Sequence, residues 1–177
     1  MEMTVWSSCR PKEVREDMDT FRDGEIEGVL VRPLEKYKDA RGWLCELFRR
    51  DEADESLWPA MCYASMTSPG VTRGPHEHVD QADWFCFIGP SNFRLELWDN
   101  RPDSPTYQNR VSLEFGQSAP ASVIVPAGVV HGYRNVGTVD GLVINLPNRL
   151  YRGEGRKEEV DEIRHEVDPG SRFRMRA

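Results

Sequence analysis

The sequence predicts an all-β fold, a sandwich or barrel of short strands. Brief extended runs rich in β-branched and aromatic residues recur along the chain. Turn formers, including 14 Gly and 12 Pro, separate them. Helical periodicity is almost absent. At 177 residues the chain is expected to form one domain, 1–177; its barrel core should lie at about 26–150.

The candidate strands follow in order. Residues 29–31 are Val-Leu-Val and run into Arg32-Pro33. Residues 43–48 alternate large and polar groups, and 62–66 end at Ser68-Pro69-Gly70. Residues 84–88 form a continuous apolar run closed by Gly89-Pro90. As a strand, this run puts Phe85 and Phe87 on one face and Trp84 and Cys86 on the other. Residues 93–97 alternate strictly, as a half-buried strand does. Residues 122–125 stop at Pro126, and 142–146 precede Pro147-Asn148. Two weak helical signals remain. One is 11–20; the other is 157–166, where Val160 and Ile163 stand three apart in a charged stretch. The Arg-rich end, 171–177, reads as a loosely docked terminus.

Charge excludes some functions. Asp plus Glu number 30 against 23 Lys plus Arg, a net charge of -7. A general nucleic-acid binder needs a basic face, so no nucleic-acid partner is expected. No stretch approaches the roughly 20 apolar residues of a membrane helix. The first residues lack the apolar region of a signal peptide, so a cytoplasmic protein with no membrane partner is expected. Cys9, Cys45, Cys62 and Cys86 form no Cys-x-x-Cys pair and read as reduced thiols.

Three of the four histidines fall in two compact motifs. The first runs from Gly70 through Arg73, Gly74, His76 and His78 to Asp83 and Gly89. The second is Pro126-x-Gly128-x-x-His131-Gly132-Tyr133-x-Asn135. His-x-His in a strand puts both rings on one face, and a third ring from a Pro-x-Gly turn can meet them there. Such a cluster holds a metal or places a base beside a substrate. His165 lies in a charged stretch and reads as exposed.

These motifs resemble those of the cupin superfamily, which implies a double-stranded β-helix, the jelly-roll barrel. An N-terminal extension and a short C-terminal helix or tail would flank it. A narrower resemblance covers most of the chain. The sequence is similar to the dTDP-4-dehydrorhamnose 3,5-epimerase family, the RmlC-like cupins. The residues that carry it are Asp39, Arg41, Gly42, Leu44 and Glu46; Arg73, Gly74 and His76; Asp99, Arg101, Ser104, Pro105 and Thr106; Pro126, Gly128, His131 and Gly132; and Asp168-Pro169.

The resemblance implies an isomerase that removes a proton beside the ketone of a nucleotide-linked 4-keto-6-deoxy sugar and returns it on the other face. His76 would be the base, with Asp168 orienting its second nitrogen. Arg73 and Arg41 would hold the diphosphate, and Glu46, His131 and Asn145 would line the substrate pocket. The family's enolate-stabilising Lys falls at Asp83 or its neighbour. Its proton-donating Tyr falls near Asn145, where no Tyr stands; Tyr133 is the expected catalytic stand-in, with Tyr151 the other nearby candidate. Its Gln two after the base is His78, and its Asn before Arg73 is Tyr63. The resemblance implies a homodimer and no required cofactor. The Gln-to-His and Lys-to-Asp changes also create a metal-ligand pattern, His76, His78, Asp83 and His131. That set suits Fe, Mn, Ni, Co or Zn. A metal-dependent cupin isomerase or dioxygenase and a non-catalytic sugar-binding cupin therefore stand as alternatives.

Overall fold

A computed structural model describes residues 21–176. Cys9 and the helix expected over 11–20 lie outside the described residues. Thirteen strands occur among those described: β1 (Arg22–Asp23), β2 (Leu30–Pro33), β3 (Tyr37–Asp39), β4 (Gly42–Leu44), β5 (Tyr63–Thr67), β6 (Thr72–Glu77), β7 (Asp83–Gly89), β8 (Asn92–Asp99), β9 (Asn109–Gly116), β10 (Ala121–Val125), β11 (Val129–Asn135), β12 (Gly141–Asn145) and β13 (Ile163–Arg164). They form a six-stranded sheet, β1-β9-β8-β11-β6-β13, and a five-stranded sheet, β2-β10-β7-β12-β5; β3 and β4 make a separate hairpin. All pairings are antiparallel except β1 with β9.

The two sheets face each other across one apolar core. Strand alternation sends Phe85 and Phe87 of β7, Phe93, Leu95 and Leu97 of β8, and Val123 and Val125 of β10 into it. The opposite face of β7 carries Trp84, Cys86 and Ile88, as the alternation predicts. Cys45, Leu47 and Phe48 cover that face, and the Phe48 ring meets Trp84 edge-on at 5.5 Å. The apolar residues after Leu44 thus pack on a sheet face instead of extending β4. Burial pushes the Cys86 thiol up to about 12. Cys45, Cys62 and Cys86 are all free thiols.

The C-terminal region departs from expectation twice. Residues 157–166 form no helix; they are irregular apart from β13, which adds to the free edge of β6. The reason is tertiary. The Asp161 carboxylate accepts hydrogen bonds from the backbone N–H groups of Val79, Asp80 and Gln81 at 2.7, 3.0 and 2.9 Å. These charge-assisted bonds outweigh a helix propensity of a few tenths of a kcal/mol per residue. The tail is also docked more firmly than its composition suggests. Phe173 is 6% exposed and packs with Phe21 and Met175 against Trp98, on the outer face of the six-stranded sheet.

The turn after β8 is a polar knot. Asp99, fully buried at the end of the strand, accepts from Arg101 Nε at 2.8 Å, Ser104 Oγ at 2.6 Å and Thr106 Oγ1 at 2.6 Å. Arg101 continues to the Glu27 carbonyl at 2.7 Å. This motif therefore closes a turn and ties the segment before β2 to the barrel.

Candidate active site

Local rules bring the histidines together. On β6 the inward positions carry Gly74 and His76, and His78 follows just past the strand end. On β11 they carry Val129, His131 and Tyr133. His76 and His131 are direct ladder partners. Gly74 makes their approach possible. A Cβ there would sit 2.7 Å from the His131 carbonyl and 3.1 Å from His76 Nδ1, and its φ is +80°. Asp83 opens β7 with the same parity as Phe85, so its carboxylate enters the barrel from the other sheet.

The result is a compact, buried cluster. The ring centroids of His76 and His131 are 4.4 Å apart, and those of His76 and His78 are 5.4 Å apart. One donor atom from each of His76, His78, Asp83 and His131 lies within 4.8 Å of all the others. Asp83 Oδ2 stands 3.1 Å from His131 Nε2 and 3.2 Å from His78 Nε2. Its Oδ1 accepts from Gln81 Nε2 at 2.8 Å and Asn145 Nδ2 at 3.0 Å. Burial pushes the Asp83 carboxyl up, but the contacts with His131 and His78 outweigh it and hold the group well below the usual carboxylate range. The His76 pKa is lowered too, which here favours the uncharged form. Burial, then the neighbouring His131 and His78, lower its pKa to about 2, so the ring is neutral at pH 7.

Asp83 and His131 are buried behind His76 and His78, which line a cavity of about 920 Å³. This is the upper end of the size range of small-molecule sites. Tyr63 and Ser65 of β5 line the cavity from the other sheet, and Tyr133 lies deeper. The Tyr133 hydroxyl bonds Ser65 Oγ at 2.7 Å. Arg73, Arg149, Arg152, Arg156 and Arg164 line the cavity together with Glu158, Glu159, Asp161, Glu162 and Glu166. Arg73 is held by Thr67 Oγ1 at 2.9 Å and the Met66 carbonyl at 2.8 Å.

Three sequence candidates lie elsewhere. Arg41 sits on the exposed β3–β4 hairpin, paired with Asp39, because that hairpin stands apart from both sheets. Glu46 pairs with Arg49 at 3.4 Å on the outer side of the five-stranded sheet. Asp168 closes its own turn onto the Gly170 N–H at 2.8 Å, so it does not reach His76. The carboxylate beside His76 is Glu162, whose Oε1 is 3.9 Å from Nδ1. His165, read as exposed, bonds Glu77 Oε1 at 2.9 Å beneath the tail.

Asn145, expected to line the pocket, is instead buried behind it and works through its neighbours. Its Nδ2 bonds both Asp83 and the Tyr63 hydroxyl, and its Oδ1 accepts from Trp84 N at 3.1 Å. Asp161 and Glu162 carried no motif signal and reach the site only because the segment after the barrel crosses its mouth; Gln81 reaches Asp83 from within the first motif, between β6 and β7.

A family model described as dTDP-4-dehydrorhamnose 3,5-epimerase matches residues 23–154. The chain belongs to this family. Within it, the chain is 37% identical over 136 residues to the "Probable low-salt glycan biosynthesis epimerase Agl13" of Haloferax volcanii, covering 76% of this chain and 86% of that one. It is 32% identical over 140 residues to the spore coat polysaccharide biosynthesis protein SpsL of Bacillus subtilis, covering 76% and 87%. The fold is that of NovW, a 4-keto-6-deoxy sugar epimerase from the novobiocin biosynthetic gene cluster of Streptomyces spheroides. The TM-score is 0.68 at 24% identity, covering 86% of this chain and 77% of that one. The architecture is the RmlC-type jelly-roll cupin. The post-barrel strap that carries Asp161 and Glu162 lies beyond the span matched by the epimerase family model.

Proposed function

We propose that the protein epimerises a nucleotide-linked 4-keto-6-deoxy sugar, dTDP-linked as in the family, by removing a proton beside the ketone. The observation that carries this reading is the His76 ring on the wall of a large cavity, beside the Glu162 carboxylate and with Arg73 in the same lining. A neutral imidazole can accept the proton directly. Glu162 beside Nδ1 stabilises the imidazolium that forms, the task the sequence assigned to Asp168. Arg73, Arg149 and Arg152 offer guanidinium forks to a diphosphate. This chemistry needs no cofactor. A homodimer is part of the reading: Trp43 and Leu44 of the β3–β4 hairpin are exposed, apolar and suited to cover by a second copy. No helix among the described residues is long and apolar enough to cross a membrane.

One observation favours a second reading. His131 Nδ1 faces the Val129 carbonyl at 3.0 Å, and His78 Nδ1 faces the Asp161 carbonyl. A carbonyl oxygen only accepts, so each Nδ1 carries a proton and each neutral ring has its lone pair on Nε2. Both Nε2 atoms point at Asp83 Oδ2; Gln81 Nε2 can donate to that of His78 at 3.2 Å, whereas the contact at His131 is favourable only with a further proton or a cation. A divalent ion held by His76, His78, Asp83 and His131 fits this donor set. Such an ion would polarise the sugar ketone as a Lewis acid, the role the family gives to Lys. His76 would then be a ligand and not the base.

Incubation with a dTDP-4-keto-6-deoxy sugar in heavy water tests both readings. The first expects deuterium at the carbons flanking the ketone, retained after chelator treatment and lost in His76→Ala. Exchange that disappears with chelator and returns with one equivalent of metal supports the second. Ligand binding without exchange, with or without metal, marks a non-catalytic sugar-binding protein and ends both.

A further inference from the structure

Inversion at carbon needs two groups. A base takes the proton from one face, and an acid returns one to the other. His76 stands on β6 of the six-stranded sheet, and Tyr63 stands on β5 of the five-stranded sheet. The two line one cavity, each from a different sheet. Tyr63 and Asn145 are direct ladder partners between β5 and β12. Asn145 Nδ2 donates to the Tyr63 hydroxyl oxygen at 2.9 Å while its other hydrogen is given to Asp83 at 3.0 Å. The phenol is therefore the acceptor in that bond, and its own proton remains available to the cavity. Tyr133, the deeper phenol, is tied to Ser65. Burial, then the Asp83 carboxylate, push the Tyr63 hydroxyl up to about 12, so it stays protonated at neutral pH.

We propose that Tyr63 is the proton donor of the epimerisation, opposite His76. The inference rests on the epimerase reading above. In the step, the enolate carbon forms its new C–H bond with the Tyr63 hydroxyl proton while the carbonyl re-forms. The phenolate then regains a proton from water, and the His76 imidazolium returns one to water, so the enzyme ends unchanged.

The test separates proton removal from inversion. Wild type, Tyr63→Phe, Tyr133→Phe and His76→Ala are incubated with a dTDP-4-keto-6-deoxy sugar in heavy water. Deuterium in recovered substrate and the amount of epimer are read by NMR. Tyr63→Phe is expected to lose epimer formation at least 100-fold while keeping His76-dependent exchange within tenfold. Full inversion by Tyr63→Phe, equal loss of exchange and inversion, or loss of inversion in Tyr133→Phe alone overturns the assignment. Absence of both exchange and epimer in wild type instead overturns the epimerase reading, and the donor with it. Fluorotyrosine at position 63 gives an independent readout: a more acidic phenol must move the alkaline limb of the inversion rate to lower pH. An unmoved limb counts against the donor.

Discussion

His76 and His131 face each other across the β6–β11 ladder with their rings 4.4 Å apart at 68°. The closeness depends on the missing side chain at Gly74. Gly74→Ala forces a Cβ into the His131 carbonyl at a φ of +80°. The expected cost is about 2–3 kcal/mol, a Tm drop of roughly 5–10 °C, together with loss of exchange activity. Calorimetry beside the heavy-water assay checks this; an unchanged melt would refute the steric account.

Asn145 links Asp83 to Tyr63 with one amide group. Asn145→Ala leaves Asp83 Oδ1 with Gln81 alone, removes the acceptor of the buried Trp84 N–H and frees the phenol. Epimerisation should fall at least tenfold, with stability lower by about 2 kcal/mol. Asn145→Asp should be worse, since a second carboxylate then lies 3.0 Å from Asp83. Denaturant melts and turnover rates of the two variants test the order.

Asp161 pins the segment that crosses the cavity mouth through three backbone N–H groups. Burial raises its pKa, but those bonds outweigh it and keep the carboxyl low. Asp161→Ala releases the strap while leaving the barrel core intact. Trypsin should then cut at Arg152, Arg156 or Arg164 about tenfold faster, and KM should rise. Equal cleavage rates would show that the strap is held by other contacts.

Asp99 makes stability depend on pH at the acid end. Burial raises its carboxyl, yet the bonds from Arg101, Ser104 and Thr106 prevail and bring it from 3.8 to about 2. A lowered folded-state pKa stabilises above the unfolded value and loses that stabilisation as pH falls through the folded one. The contribution, about 2 kcal/mol, is therefore full at neutral pH and fades from pH 3.8 down to about 2. Asp99→Asn should lower the Tm at pH 7 and flatten its fall across that acid window. Parallel slopes for both proteins would contradict this.

Much of the barrel was legible because each strand signal is local. Alternation in β8 and the continuous apolar run of β7 follow from side chains pointing to opposite faces every residue. That same rule placed Phe85 and Phe87 inside and Trp84 and Cys86 outside. The helix expected at 157–166 failed for the complementary reason. Its weak local preference competes with hydrogen bonds from residues some 80 positions earlier in the chain, such as Val79 N to Asp161. Asp168 was matched by sequence order, but contact with His76 belongs to Glu162, six residues earlier, because the strap's course sets which carboxylate arrives.

The sequence by itself determined the β architecture and the histidine pair. Periodicity and turn residues act over a few positions, and the spacing of the two motifs fits ladder partners. Only the tertiary structure decided the rest of the site. It turned Asp83 inward, where one residue of register would have put it outside. It set Tyr63 and Asn145 side by side, drew the strap across the mouth and left Arg41 on a distant hairpin. Each of these depends on strands or segments far apart in sequence meeting in one register, which no local pattern encodes.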